Sequence, residues 1–155
     1  MINTLRMLVI CLHDLFTAIW IGGLLMLVLT IFPVLKETFG HSAESEKTMD
    51  AIMKRHSKWI FISILMLAVT GVLQARFSGQ VNGLLRFDSS YSTFLSIKHI
   101  LMALMVVIAF IRLRVIRKLE AAAAMNRKKV SLVLMHVNAL IGVVILFLSA
   151  VLTIL

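Results

Sequence analysis

Cysteine and acidic residues are scarce in this chain of 155 residues. Cys11 is the only cysteine, which excludes an internal disulfide and a metal cluster held by several cysteines. Asp and Glu number 7 against 16 Lys and Arg, for a formal net charge of +9. In a soluble domain this balance would suggest a nucleic-acid partner. Here most basic residues flank apolar stretches, where they set orientation and meet lipid headgroups, so we predict no nucleic-acid partner.

Apolar residues are abundant, at 61% of all positions, which is more than a soluble domain of this size could bury in one core. A membrane-spanning helix needs about 20 mainly apolar residues. The sequence therefore predicts an all-α integral membrane protein, a four-helix up-down-up-down bundle forming one domain over residues 1–155. Its spans are predicted at residues 7–35, 56–76, 94–113 and 130–155. The first apolar run is too long for a signal-peptide core and is expected to be retained as a span.

The connections between the spans carry local signals. Ser42, with Glu44 in the following turn, predicts the start of a helix that continues into the second span. Residues 77–93 contain two glycines and a polar group, which predicts a loop. Residues 112–129 predict a helical extension or a hairpin.

Basic residues are distributed unequally between the two sides of the predicted bundle. The first and third connections, with their borders, hold twelve of the 16 Lys and Arg residues: Lys36, Lys47, Lys54, Arg55, Lys58, Arg112, Arg114, Arg117, Lys118, Arg127, Lys128 and Lys129. The other side holds Arg6, Arg76, Arg86 and Lys98. Because cytoplasmic loops are enriched in Lys and Arg, we predict a cytoplasmic-membrane protein with both termini outside.

One histidine lies in or at the edge of each span, at His13, His56, His99 and His136. Ionisable residues within spans are costly and are functional candidates. At a rise of about 1.5 Å per residue, His13 and His99 share the outer half of the bundle, roughly 10 and 8 Å in. His56 lies near the inner boundary and His136 about 10 Å from it, so these two share the inner half.

Each depth-matched pair faces across the bundle axis, because helices one and three are diagonal neighbours, as are two and four. The gap is too wide for direct contact between imidazoles but admits a flat macrocycle, which predicts one or two bis-histidine haem b groups. Glycines would permit close approach of the ring, at Gly22, Gly23, Gly71 and Gly142. Basic side chains would meet the propionates, at Arg55, Lys58 and Lys129. The leading hypothesis is thus a cytochrome-like protein that transfers electrons across the membrane or to a quinone. As an enzyme it would be a haem-dependent oxidoreductase, and a redox partner protein is expected.

Two alternatives stand beside haem. The histidines and glycines could serve helix packing alone. Copper is the rival ligand, because thioethers with imidazole suit monovalent copper, and five methionines lie within the spans: Met26, Met66, Met102, Met105 and Met135. His99 and Met102 share a helix face. Methionine is also an ordinary filler of apolar cores.

Other polar residues have weaker interpretations. Asp14 and Lys98 fall in the same outer layer, so they are candidates for an ion pair or for a proton or quinone site. A structural pair is favoured. Trp20 is too deep for an interfacial belt and either stacks on a macrocycle or packs, whereas Trp59 fits the inner belt. His41 lies in a connection and is expected to be structural.

Several segments resemble the CopD-like membrane proteins. The first span carries His13-Asp14-Leu15 through Trp20-Ile21-Gly22-Gly23-Leu24, followed by Phe32-Pro33-Val34-Leu35. The second begins after Arg55 and ends at Thr70-Gly71-Val72-Leu73, and the third contains Tyr91, Leu95 and Ile97-Lys98. These segments cover about four-fifths of the chain, and the distinctive elements are the histidine, Trp-x-Gly-Gly, Thr-Gly and lysine.

The resemblance implies a four-span module linked to copper handling or resistance. HemJ-type protoporphyrinogen oxidases are similar in having a first-span histidine followed by tryptophan and glycine, a third-span lysine and a bound haem. On that similarity His13 and Lys98 are the positions that carry over. The longer HemJ motif ending in a histidine is missing at Phe32-Pro33. The bilayer is the expected environment, and a homo-oligomer is compatible with these features.

Overall fold

The computed structural model of the protein describes residues 2–40, 42–77, 87–118 and 124–154. Two short π-helical segments, Ala18–Gly22 and Leu27–Ile31, interrupt the first long helix. The described residues contain no strand, which confirms the all-α prediction. The α-helices are α1 (Ile2–Thr17), α2 (Gly23–Met26), α3 (Phe32–Phe39), α4 (Ala43–Phe77), α5 (Ser90–Lys118) and α6 (Ala124–Leu152).

Among the described residues, four helices are long and apolar enough to cross a membrane, which confirms the prediction of a four-span membrane protein. They cover Asn3–Phe39, Ala43–Phe77, Ser90–Arg114 and Lys129–Leu152. The first two extend well beyond the apolar residues that define them in the sequence. Polar flanking residues continue the backbone hydrogen bonding of a helix, so hydropathy alone underestimates helix length.

Serine caps mark the starts of the second and third long helices. The hydroxyl of Ser42 accepts a hydrogen bond from the backbone N–H of Ser45 at 3.2 Å, which confirms the predicted start of α4. The predicted loop over residues 77–93 is too long at its C-terminal end, because α5 begins at Ser90. The hydroxyl of Ser89 accepts from the N–H of Ser92 at 3.2 Å, so part of the polar group is a helix cap. Residues 78–86, with both glycines, lie outside the described residues.

The π-helical segments widen the first long helix on both sides of α2. Pro33 lies at the start of α3, where its ring would clash with the carbonyl of Leu29 in a regular α-helix. Leu29 belongs to the second π-helical segment, and the wider turn relieves this clash. Such bulges are common at functional sites, and these two flank Gly23.

The chain divides into two compact units, unit 1 (Met1–Gln80) and unit 2 (Val81–Leu155). In unit 1 the first long helix packs along α4, and buried Trp20, Leu24 and Leu27 lie at its core. In unit 2, α5 packs along α6. The helical extension or hairpin predicted for residues 112–129 corresponds to the ends of these two helices, with residues 119–123 outside the described part.

The buried positions of α6 form a single stripe with spacings of three and four residues. The stripe consists of Ser131, Met135, Asn138, Ala139, Gly142, Ile145 and Leu148. Met105 of α5 is also almost fully buried. Unit 2 is thus held together by thioethers, small residues and a few polar side chains, which is typical of helices packed in a membrane.

Candidate functional site

His13 is fixed by a hydrogen bond to α4. Its Nδ1 lies 2.9 Å from Oγ1 of Thr70, and this hydroxyl lies 2.7 Å from the carbonyl oxygen of Met66, to which it donates. Because the hydroxyl has a single proton and directs it to Met66, the imidazole donates through Nδ1–H. In the neutral ring the other nitrogen, Nε2, then carries the lone pair that a metal would use.

Removing the hydroxyl of Thr70 should destabilise unit 1. In Thr70→Val the Nδ1–H of half-buried His13 loses its acceptor, which we expect to cost about 1–2 kcal/mol. Thr70→Ser keeps the hydroxyl and should be less destabilised than Thr70→Val, because it loses only a buried methyl group. Unfolding in mixed micelles measures both. Equal stability of the Val and Ser variants would contradict a stabilising role for this hydrogen bond.

His56 packs directly on the backbone of the first long helix. A Cβ built on Gly23 would lie 2.6 Å from Cε1 of His56 and 3.3 Å from its Nδ1. No real Cβ tolerates the first distance, so Gly23 provides the space that the ring occupies. Gly22 has nothing within 4 Å of such a Cβ. Of the neighbouring glycines, only Gly23 is required for this contact.

Gly71 follows Thr70 and lies beside His13. Its Cβ would meet Cε1 of His13 at 4.0 Å, which is ordinary van der Waals contact. The Thr-Gly element of the sequence therefore contributes mainly through the threonine hydroxyl. Gly142, the remaining predicted glycine, is buried in α6 of unit 2.

Two adjoining pockets open beside His56, and we call them together the His56 pocket. One has a volume of about 300 Å³ and the other about 280 Å³. Both contain His56 and Trp59, and the described residues that line them are Ile19, Gly23, Met26, Leu27, Ile31, Ile52, Arg55, His56 and Trp59. The pocket thus combines one imidazole, one thioether and one guanidinium with an otherwise apolar wall.

Between His13 and the His56 pocket, two buried polar atoms lack hydrogen-bond partners. They are Nε1 of Trp20 and Oγ of Ser63, in side chains that are 2% and 0% exposed. Trp20 lies seven residues after His13, and Ser63 seven before Thr70, so both are about 10 Å along their helices from that hydrogen bond. Trp20 packs in the interior of unit 1, which is one of the two roles predicted for it from the sequence.

Three polar side chains of α4 share one face. His56, Ser63 and Thr70 are seven residues apart, with buried Ile60 and Leu67 between them. A seven-residue repeat keeps side chains on one side of a helix, and here that side faces the first long helix. Sequence reasoning missed Ser63, although this spacing was the signal that could have found it.

The histidines of unit 2 are exposed and hydrogen-bonded within their own helices. Nδ1 of His99 lies 2.7 Å from the carbonyl oxygen of Leu95. His136 makes the same contact with Leu132, also at 2.7 Å. A carbonyl can only accept, so both rings donate through Nδ1–H, which leaves Nε2 as the acceptor of the neutral ring.

The predicted site residues are therefore only partly brought together. The structure joins His13 with Thr70, and His56 with Gly23 and Arg55. Each proposed histidine pair, His13 with His99 and His56 with His136, takes one residue from each unit and stays a prediction. The proposed pair of Asp14 with Lys98 also takes one residue from each unit and stays a prediction. His41 lies outside the described residues. In the described part, His, Cys, Asp and Glu form no group of three or more suited to a metal ion.

A family model for copper resistance protein D (CopD) matches residues 50–152, about two-thirds of the chain. The chain belongs to the CopD family. The match includes α4 from Asp50 onward, α5 and α6, and thus His56, Thr70 and both histidines of unit 2. No curated protein and no solved structure matches the chain significantly. The resemblance to HemJ-type oxidases stays a prediction.

Within this CopD protein, the first long helix lies before the matched residues. His13 and Gly23 nevertheless contact side chains inside the matched range, Thr70 and His56. Each contact therefore joins a residue before the matched range to a residue inside it. For this reason the His56 pocket, which draws on both helices, is the candidate functional site.

Proposed function

We propose that this protein handles monovalent copper in the membrane, and that the His56 pocket binds the ion as cargo. The observation that carries the proposal is the presence of Met26 and His56 in one pocket of a CopD-family protein. Thioether sulfur and imidazole nitrogen are ligands that suit Cu(I). A group of two such donors is also compatible with the lack of a larger His, Cys, Asp and Glu cluster among the described residues.

The residues around Met26 and His56 are suited to binding a copper ion and releasing it again. Met26 lines the pocket, and its flexible thioether can adjust to an ion bound there. His56 is half-buried and seated on Gly23, which limits the ring to few orientations. The wall of the pocket is mostly apolar and offers few oxygen ligands, which favours a soft ion with few ligands over a hard divalent ion. Arg55 contributes a positive charge that opposes tight retention of a cation.

Copper binding by the purified protein tests the proposal. Competition with a Cu(I) chelator should give one high-affinity ion per chain for the wild type. His56→Ala should weaken affinity by roughly 100-fold, or about 2.8 kcal/mol. Met26→Leu should weaken it by roughly tenfold, because leucine keeps the volume but lacks sulfur. Met66→Leu is the matched control and should bind as the wild type, and unchanged affinity in both pocket variants would refute the site.

Haem binding is the second candidate function, and the histidines of unit 2 favour it. Both rings donate Nδ1–H to a backbone carbonyl, the usual arrangement of a ligating histidine. His99 with His13, and His136 with His56, would be the axial ligands of haem b. Absorption spectra after haem-replete expression decide this. A Soret band that His99→Ala abolishes would establish haem, whereas copper binding without such a band would leave the copper function alone.

We also propose a cytoplasmic-membrane location with both termini outside, as the distribution of basic residues predicts. The single cysteine makes this testable, because Cys11→Ser removes all native thiols. In that background, Asn3→Cys should react with a membrane-impermeant maleimide on intact cells. Glu44→Cys, in the first connection, should react only after permeabilisation. The reverse labelling pattern would invert the topology.

A further inference from the structure

Arg112 is the most deeply buried charged residue among the described residues. It is 3% exposed, and its Nη2 has no hydrogen-bond partner. It lies near the end of the third candidate span, Ser90–Arg114. Arg114, only two residues later, is exposed. Burial thus distinguishes Arg112 from the ordinary basic residues that flank membrane spans.

A buried guanidinium needs an anion. An uncompensated charge removed from water is strongly destabilising, and charged side chains within spans are paired as a rule. Among the described residues of unit 2, Asp88 is the only carboxylate. It precedes Arg112 by 24 residues, about 36 Å along a helix, which is beyond the reach of the side chain. Glu120 lies in residues 119–123, outside the described part.

The surroundings of Arg112 favour an anion that arrives from the membrane surface. Arg112 lies near the C-terminal end of α5, and buried Ser131 near the N-terminal end of α6. The two are similarly distant from the short connection that joins these helices, so both belong to the same end of unit 2. Exposed Arg114 and Lys129 lie at this end as well. A guanidinium and a hydroxyl donor are therefore both buried at the end of unit 2 where a span ends, whereas exposed Arg114 and Lys129 lie outside this buried pair.

We propose that this end of unit 2 binds a phosphate group, with Arg112 as the central ligand and Ser131 as a second donor. A guanidinium matches phosphate oxygens with two parallel hydrogen bonds. The end of a span lies at headgroup level, and basic pockets between membrane helices bind anionic headgroups. The phosphodiester of an anionic phospholipid is the expected source, and free phosphate is the other source of the same chemistry.

Reconstitution in nanodiscs of defined lipid tests the site. Wild-type protein should unfold at a higher temperature with phosphatidylglycerol present than in phosphatidylcholine alone. Arg112→Gln should lose most of this shift, and Arg112→Lys should keep part of it, because lysine retains the charge but not the planar fork. Arg114→Gln is the matched control, two residues away and exposed, and should keep the shift. Loss of the shift in both Gln variants alike would overturn the site, because it would indicate general surface attraction.

Two further measurements identify the anion. Native mass spectrometry should show phosphatidylglycerol retained by the wild type and lost from Arg112→Gln, which is independent of how stable the variant is. If the anion comes from a lipid, inorganic phosphate added in neutral detergent should not reproduce the stabilisation. If the anion is free phosphate, the same addition should reproduce it. If Glu120→Gln destabilises the protein in phosphatidylcholine as much as Arg112→Gln does, the counter-ion is internal and the proposal fails.

Discussion

Replacing Gly23 by alanine is expected to weaken Cu(I) binding by roughly tenfold to 100-fold, the effect usual for losing the support of a metal ligand. The new Cβ would lie 2.6 Å from Cε1 of His56, so the ring must rotate away from the helix. The backbone cannot yield as cheaply as the side chain, because it forms part of the first long helix. The imidazole would then present its nitrogen to the pocket at a different angle, and Met26 could no longer share the ion with it.

Gly22→Ala is the matched control, because no atom lies within 4 Å of its Cβ. Both substitutions favour the helix by up to about 1 kcal/mol, so neither should unfold the protein. Chelator competition on both variants distinguishes displacement of the His56 ring from general damage to the first long helix. Equal copper affinity in the two variants would remove Gly23 from the site. Reduced affinity in both would mean that the helix, and not the contact with His56, controls binding.

The helices were predictable because their cause is local. A stretch of about 20 mainly apolar residues must form a helix in lipid, and the hydroxyl of Ser42 caps the start of α4. The end of the 77–93 loop was missed for a similar local reason, because Ser89 to Ser92 look like loop residues and in fact cap α5. Polar composition alone does not distinguish a loop from the first turn of a helix.

The candidate site was only partly predictable, because its contacts join residues distant in sequence. His56 follows the basic residues Lys54 and Arg55, so its depth appeared to lie at the inner boundary. Its contact with Gly23 depends on the register between α4 and the first long helix, and the π-helical segments shift that register. Pro33 was the only local sign of them. The pairing of histidines from unit 1 with histidines from unit 2 involves residues still farther apart in sequence, and it stays a prediction.

The two tryptophans should differ sharply in their contribution to stability. Trp20 is 2% exposed and fills the interior of unit 1, whereas Trp59 is 49% exposed. Truncating a buried tryptophan costs about 3–5 kcal/mol in soluble proteins. In a bilayer the lipid is as apolar as the interior, so the loss comes from packing contacts and the cavity. We therefore expect about 3 kcal/mol for Trp20→Ala, the lower end of that range, and less than about 1 kcal/mol for Trp59→Ala.

Trp20→Phe separates the bulk of the ring from its N–H group. Because Nε1 has no partner in the structure, phenylalanine should keep most of the stability and lose only the packing of the smaller ring. If Trp20→Phe is as damaging as Trp20→Ala, we infer that the N–H is bonded to a buried water, and Ser63, whose hydroxyl also lacks a partner, is the residue to test as the other side of that bridge. Ser63→Ala then provides the decisive comparison, since it removes the other side of that bridge. Additive losses in the double variant would argue against a shared water, and a loss no greater than either single change would establish it.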